Sequence, residues 1–248
     1  MVYYGPNGLN VDSYGLDSAT FLEMHEALVS LGLQVRQPWP KTQIRFVLYC
    51  HALIGLGADL STLIGEYNSA QCGDGTDTIH ALSLAKLYYH YHAAGHEVLV
   101  CRTDRRKTQP DLVIDEVNCE LKVRVDQTAQ RMEKYQHLLW EGREEEYHEL
   151  SSREIRSHDE DLSRAILVAQ EGFRQGDCVF LDLSSHFHSW NYHRLASGLR
   201  AGRIQGLTDR PVPAIRGTCV LFSPDNAINR AERGFHPRAF WGYLPVSS

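Results

Sequence analysis

Apolar residues recur at helical spacing through the first seventy or so residues and then gather into short unbroken runs separated by turn signals. In "DSATFLEMHEALVSLGL", Phe21, Leu22, Leu28 and Leu31 follow Asp17 and Ser18, either of which can cap a helix, so the first helix is expected there. After the break at "PWPKT", the spacing predicts a second helix over Gln43 to Leu56 and a third over Leu60 to Tyr67. Beyond the glycine-rich "QCGDGTD", the stretch "DTIHALSLAKLYYHYHAAGHE" predicts a fourth helix. Its residues Ile79, Leu82, Leu84, Leu87 and Tyr91 lie near one stripe, and it closes at Gly95. The "YYHYH" within it reads as packing with polar tips that reach solvent.

The second part predicts strands at "EVLVCR", "DLVID" and "NCELKVRV", then a long helical and charged segment from about Gln127 to Gln175. Within that segment "EGREEEYHE" reads as a solvated face or loop. "DCVFLDLS" and "GTCVLFS" are further buried strands, and "GFHPRAFWGYLP" is expected to be a tail docked by its aromatics. The order helix, three strands, helix, strand describes an α/β protein. It divides into an N-terminal helical extension over residues 1–72 and a second unit over 73–248.

Composition narrows the classes. With 248 residues, 43% of them hydrophobic, the chain can bury a substantial core. "MVYYGPNGLN" has no basic lead into an apolar segment, and "IRFVLYCHALIGLG" is interrupted by Arg45 and His51 and too short to span a bilayer. The expectation is a soluble, cytoplasmic protein with no membrane partner. The six cysteines stand singly without a CxxC pair, which fits reduced, buried thiols. A net charge of −6 excludes a chain-wide basic surface, so any contact with nucleic acid must be local.

One stretch breaks the apolar rule. "PDLVIDEVNCELKVRV" is built like a buried hairpin yet carries Asp111, Glu120 and Lys122. A four-residue loop over Asp115 to Asn118 pairs Ile114 with Cys119, Val113 with Glu120, Leu112 with Leu121 and Asp111 with Lys122. Leu112, Ile114, Cys119, Leu121 and Val123 then share an apolar face, and Asp111, Val113, Glu120 and Lys122 share the other. A loop longer or shorter by one residue would scatter the group. Two close carboxylates call for a cation, and oxygen donors with room for water suit Mg²⁺ or Mn²⁺. A lysine beside them can orient a water or help remove its proton. This is equipment for attacking a phosphodiester.

"PD" at Pro110-Asp111 and "ELK" at Glu120-Leu121-Lys122, on adjacent strands after a helix and a strand, resemble the signature of the PD-(D/E)xK nuclease superfamily. The resemblance covers roughly Asp77 to Leu183. It implies a restriction-endonuclease-like core, a central mixed sheet flanked by helices in the order αβββαβ, and a metal-dependent nuclease acting on nucleic acid, DNA before RNA. It further implies that Asp111, Glu120 and the main-chain carbonyl of Leu121 hold the metal and that Lys122 acts on the nucleophilic water. A fourth ligand from the preceding helix would be Asp77 or His80. Cutting both strands of a duplex would favour a homodimer.

Around the hairpin, Arg105, Arg106 and Lys107 precede the site and Arg124 follows it, a local cluster able to contact phosphates. "SSHFHSWNYHR" sets His186, His188 and His193 beside Trp190 and Tyr192; it reads as a polar aromatic surface segment, with a hydrolase metal site on His186 and His188 as the alternative. The second Pro-Asp, Pro224-Asp225, has no acidic-x-Lys downstream and reads as a turn. GxxxxGK[ST], GxGxxG and GxSxG are all absent, which leaves P-loop, dinucleotide and α/β-hydrolase chemistry without support. The alternative to a nuclease is a non-catalytic subunit that keeps a nuclease-like fold to bind nucleic acid or a partner protein.

Overall fold

The computed structural model describes residues 16–34, 41–71, 76–102, 109–123, 138, 141–147, 149–150, 167–182, 205–225 and 237–244. Helix α1 (Ser18–Ser30) is capped by Asp17, whose side chain accepts the Thr20 N–H at 2.8 Å, as the sequence predicts. Helices α2 (Lys41–Gly55), α3 (Ser61–Ala70) and α4 (Thr76–Ala93) follow. Gly95 ends α4 with φ of +90°, and the His96 N–H donates to the Tyr91 carbonyl at 3.0 Å, turning the chain back toward the sheet.

The stripe expected on α4 understates its burial. Residues 81–88 are buried without a break, so the helix is enclosed on all sides instead of lying on a surface. The polar tips of "YYHYH" do not all reach water either: Tyr91 Oη donates to the buried Val212 carbonyl at 2.6 Å, and His90 is 8% exposed. Burial and the charge of Lys86 push His90 down to about 3, so its ring is neutral. Ser83 and Lys86 satisfy themselves on one carboxylate, Asp182 Oδ2, at 2.5 Å and 3.8 Å.

Strands β1 (Val98–Val100), β2 (Leu112–Ile114), β3 (Val117–Val123), β4 (Cys178–Asp182), β5 (Gln205–Thr208), β6 (Cys219–Asp225) and β7 (Arg238–Leu244) form one mixed sheet in the order β1-β2-β3-β4-β6-β7-β5. β1, β2 and β3 are an antiparallel meander, β3, β4 and β6 run parallel, and β7 returns antiparallel between β6 and β5. The chain is therefore α/β, with helices on both faces of a mixed sheet. One large cluster joins apolar residues of α1, α2, α3 and α4 to one sheet face. On the other face Ala169 and Phe173 pack on Val179, Leu181, Cys219 and Leu221.

The β2–β3 connection corrects the expected register. Its loop is two residues long, Asp115 and Glu116 at φ of +46° and +67°, and it pairs Ile114 with Val117, Val113 with Asn118 and Leu112 with Cys119. Both residues take the left-handed region, which Asp tolerates by local hydrogen bonding: its carboxylate accepts the Glu97 N–H at 3.0 Å and meets His96 Nδ1 at 2.6 Å. The register differs from the expected one by two residues, an even number, so every side chain keeps its face. Two further expectations fail downstream. Pro224-Asp225 is the end of β6, paired to Ala239 and Arg238, and the C-terminal aromatic stretch is not a docked tail but strand β7, with Trp241 fully buried.

Among the described residues no helix is long and apolar enough to cross a membrane, and the described cysteines are free thiols, four of them buried.

Candidate active site

Asp111 stands just ahead of β2. Its N–H donates to the Cys119 carbonyl at 3.0 Å although Cys119 pairs with Leu112, so Asp111 sits at an irregularity just beyond the paired residues, close enough for its charge to act on Glu120 of β3. Lys122, two residues along β3, shares the face of Glu120. The side chain of Asp111 turns toward the backbone of the partner strand, where Oδ2 accepts the Leu121 N–H at 2.7 Å. The ring of His80, one turn into α4, approaches the same oxygen, with Nε2 at 3.6 Å. Of the two residues expected to supplement the site from the helix, His80 is the one brought to it; the side chain of Asp77 lies outside the described residues.

Glu120 is enclosed, its side chain 6% exposed. The cover is the segment from the helical turns at 167–172 to β4, and two glycines let it close. A Cβ on Gly176 would lie 2.6 Å from the Glu120 nitrogen, and one on Gly172 would lie 2.9 Å from Val179 Cγ1 and 3.6 Å from Glu120 Cγ. Asp177 N–H donates to the Asn118 carbonyl at 2.8 Å, which pins the segment to β3. Lys122 Nζ donates to Glu120 Oε1 at 2.5 Å and to Gln175 Oε1 at 3.0 Å.

Electrostatics follow from this packing. Burial, then the charge of Asp111, raise Glu120 to about 7, against the opposing pull of Lys122 and His80. For His80 burial pulls downward, but the Asp111 carboxylate beside it, the Leu121 main chain and the charge of Glu120 outweigh it and raise the ring.

The groups brought near one another are the Asp111 and Glu120 carboxylates, the His80 ring and the Lys122 ammonium. Neighbouring carboxylate oxygens are hard donors of the kind a divalent cation such as Mg²⁺ or Mn²⁺ takes. Among the described residues no three His, Cys, Asp or Glu side chains form a ready ligand set.

Gln175 and Gly176 escaped the sequence reading. In "FRQGDCVFLD" Gly176 is visible only as punctuation before a strand, and nothing local ties Gln175 to a lysine more than fifty residues away. Arg105, Arg106, Lys107, Arg124, His186, His188 and His193 lie outside the described residues. The chain matches no family model, no curated protein and no solved structure.

Proposed function

We propose that the chain is a divalent-metal-dependent nuclease of the PD-(D/E)xK kind that hydrolyses phosphodiester bonds of nucleic acid, with DNA as the substrate to test first. The observation that carries the reading is the meeting of Asp111, Glu120 and Lys122 on one hairpin face, with His80 arriving from α4. The order α4, β1, β2, β3, helical turns at 167–172, β4 supports a restriction-endonuclease-like core, since it is the αβββαβ order of that fold.

Asp111, Glu120 and the Leu121 carbonyl would hold the cation. A bound Mg²⁺ or Mn²⁺ supplies Lewis-acid polarisation of the phosphodiester and an acidified water at neutral pH. The chain's own residues do the rest. Glu120 would act as a carboxylate ligand, His80 would serve as a further donor or hold a proton at Nε2, and Lys122 would set its ammonium toward the reacting phosphate, where fixed positive charge favours the more negative transition state.

The deciding experiment is incubation with labelled duplex DNA, single-stranded DNA and RNA, each with Mg²⁺, Mn²⁺ or EDTA. Cleavage of DNA with either metal and none in EDTA is expected; no cleavage of any substrate while Mn²⁺ binds would sink the reading. A second reading is a non-catalytic subunit that binds nucleic acid or a partner protein. It is favoured by the Lys122–Glu120 bond, which satisfies the site without metal, and by the missing third ionisable ligand among the described residues. Calorimetric titration with Mn²⁺ separates the two, since absence of binding favours the subunit.

A further inference from the structure

The Lys122 ammonium has two acceptors that differ in kind. Glu120 comes from its own strand, is buried, and carries a charge that a cation or a proton can claim. Gln175 comes from the segment that leads into β4, is exposed, and is neutral. That segment is well fixed: the Gln175 N–H donates to the Gly172 carbonyl at 2.9 Å, the Gly176 N–H to the same carbonyl at 3.1 Å, and Asp177 is bound to β3. Gly176 lies against the Glu120 backbone with no room for a side chain, so the distance from residue 175 to the hairpin face is set by hard contact.

We propose that Gln175 is a positioning residue for Lys122: its side-chain carbonyl keeps the ammonium at the site when the Glu120 carboxylate is engaged elsewhere. The chemistry suits the task. A carboxamide oxygen accepts from an ammonium without neutralising it, does not titrate, and is a poor competitor for a hard cation beside two carboxylates. Lysine's four-carbon stem is otherwise flexible, and a divalent cation held by Glu120 repels an ammonium that has lost its counter-charge. Gln175 supplies a second anchor that survives the change. The role in turnover rests on the nuclease reading above; the role in holding Lys122 does not.

The test compares the full-length wild type with Gln175→Leu, which keeps bulk and removes the acceptor, and Gln175→Glu, which restores an oxygen at the same reach. The first readout is the rate at which acetic anhydride acetylates Lys122 in metal-free protein and in protein with excess Mn²⁺, followed by peptide mass spectrometry. Acetylation several-fold faster in Gln175→Leu and near the wild-type rate in Gln175→Glu is expected. The second readout is kinetic: Gln175→Leu should lose roughly ten- to hundredfold in kcat with KM and Mn²⁺ affinity little changed, the pattern of a misplaced group and not of lost binding. Unchanged acetylation in Gln175→Leu would overturn the inference. Faster acetylation in a protein whose wild type cuts nothing would uphold Gln175 as the anchor of Lys122 and reject the nuclease reading instead.

Discussion

Asp111 Oδ2 accepts the Leu121 N–H at 2.7 Å, so the first carboxylate of the site is tied to the strand that carries the second. The spacing between the two acids is therefore a property of the hairpin ladder and not of loop packing. It also means that Asp111 has a structural duty beside its chemical one, and the two can be separated by substitution.

Asp111→Asn keeps an acceptor oxygen for Leu121 and removes the charge. Mn²⁺ binding should fall below detection by calorimetry and cleavage should stop, while the melting temperature stays close to that of the wild type. Asp111→Ala should lose the same functions and also some stability, about 1–3 kcal/mol, because the Leu121 N–H is left without its partner. If Asp111→Asn binds Mn²⁺ as well as the wild type, the carboxylate is there for the hairpin alone.

The raised pKa of Glu120 gives stability a pH slope. Unfolded, this carboxyl ionises near 4.5; folded, near 7. Between those values the folded state holds the extra proton, so Glu120's contribution is greatest below 4.5 and is lost as pH rises through 7. The raised His80 acts with the same sign, its contribution being present below 6.5 and lost as pH climbs above it. Without metal, melting should be lower at pH 8 than at pH 6, and Glu120→Gln should flatten the slope. Mn²⁺ binding should tighten across the same range and release protons, seen as heats that differ between buffers of unlike ionisation enthalpy. Equal heats in all buffers would contradict a protonated Glu120.

Lys122→Ala removes the partner that holds Glu120 down, so the Glu120 carboxyl should move above about 7. Mn²⁺ should bind at least as well at pH 8, where the lost positive charge no longer opposes it, and less well at pH 6. Cleavage should fall by about 10²-fold or more, the scale of losing a positioned charge or proton carrier. A variant that cuts at the wild-type rate would show that Lys122 serves only to neutralise Glu120.

Gly176→Ala places a methyl group 2.6 Å from the Glu120 nitrogen, against backbone that cannot swing aside. Overpacking of this kind costs about 1–3 kcal/mol, measurable by urea denaturation. Because the displaced atoms belong to Glu120, activity and Mn²⁺ affinity should drop in protein that is still folded. A variant with lower stability and unchanged metal affinity would mean that the segment yields without disturbing the carboxylate.

How much of this could be read from the chain depends on whether the signal was local. Period-two alternation placed Asp111, Glu120 and Lys122 on one face, and that survives because a two-residue shift in register preserves sidedness. The register itself was hidden, since Asp115-Glu116 lacks the Asn-Gly or Asp-Gly signature of a left-handed turn and depends on His96 and Glu97 for support. β5 and β7 were missed because one has no alternation to read and the other is so aromatic that it passes for a docked tail. Gln175 was illegible for a different reason: its role exists only once β3 and β4 lie side by side.

The enclosure of α4 bears on how the molecule can be divided. Tyr49 of α2 meets Tyr89 and His90 of α4 edge-on, Tyr88 Oη reaches the Asp59 carbonyl ahead of α3, and His92 approaches the Leu56 carbonyl. A module that evolution could add or shed would leave a polar surface at the seam, and here the seam would be apolar along most of a helix. His80 is delivered to Asp111 by that same helix. Helices α2 and α3 therefore behave as part of the scaffold that holds α4, and a search for a minimal folded fragment should keep them.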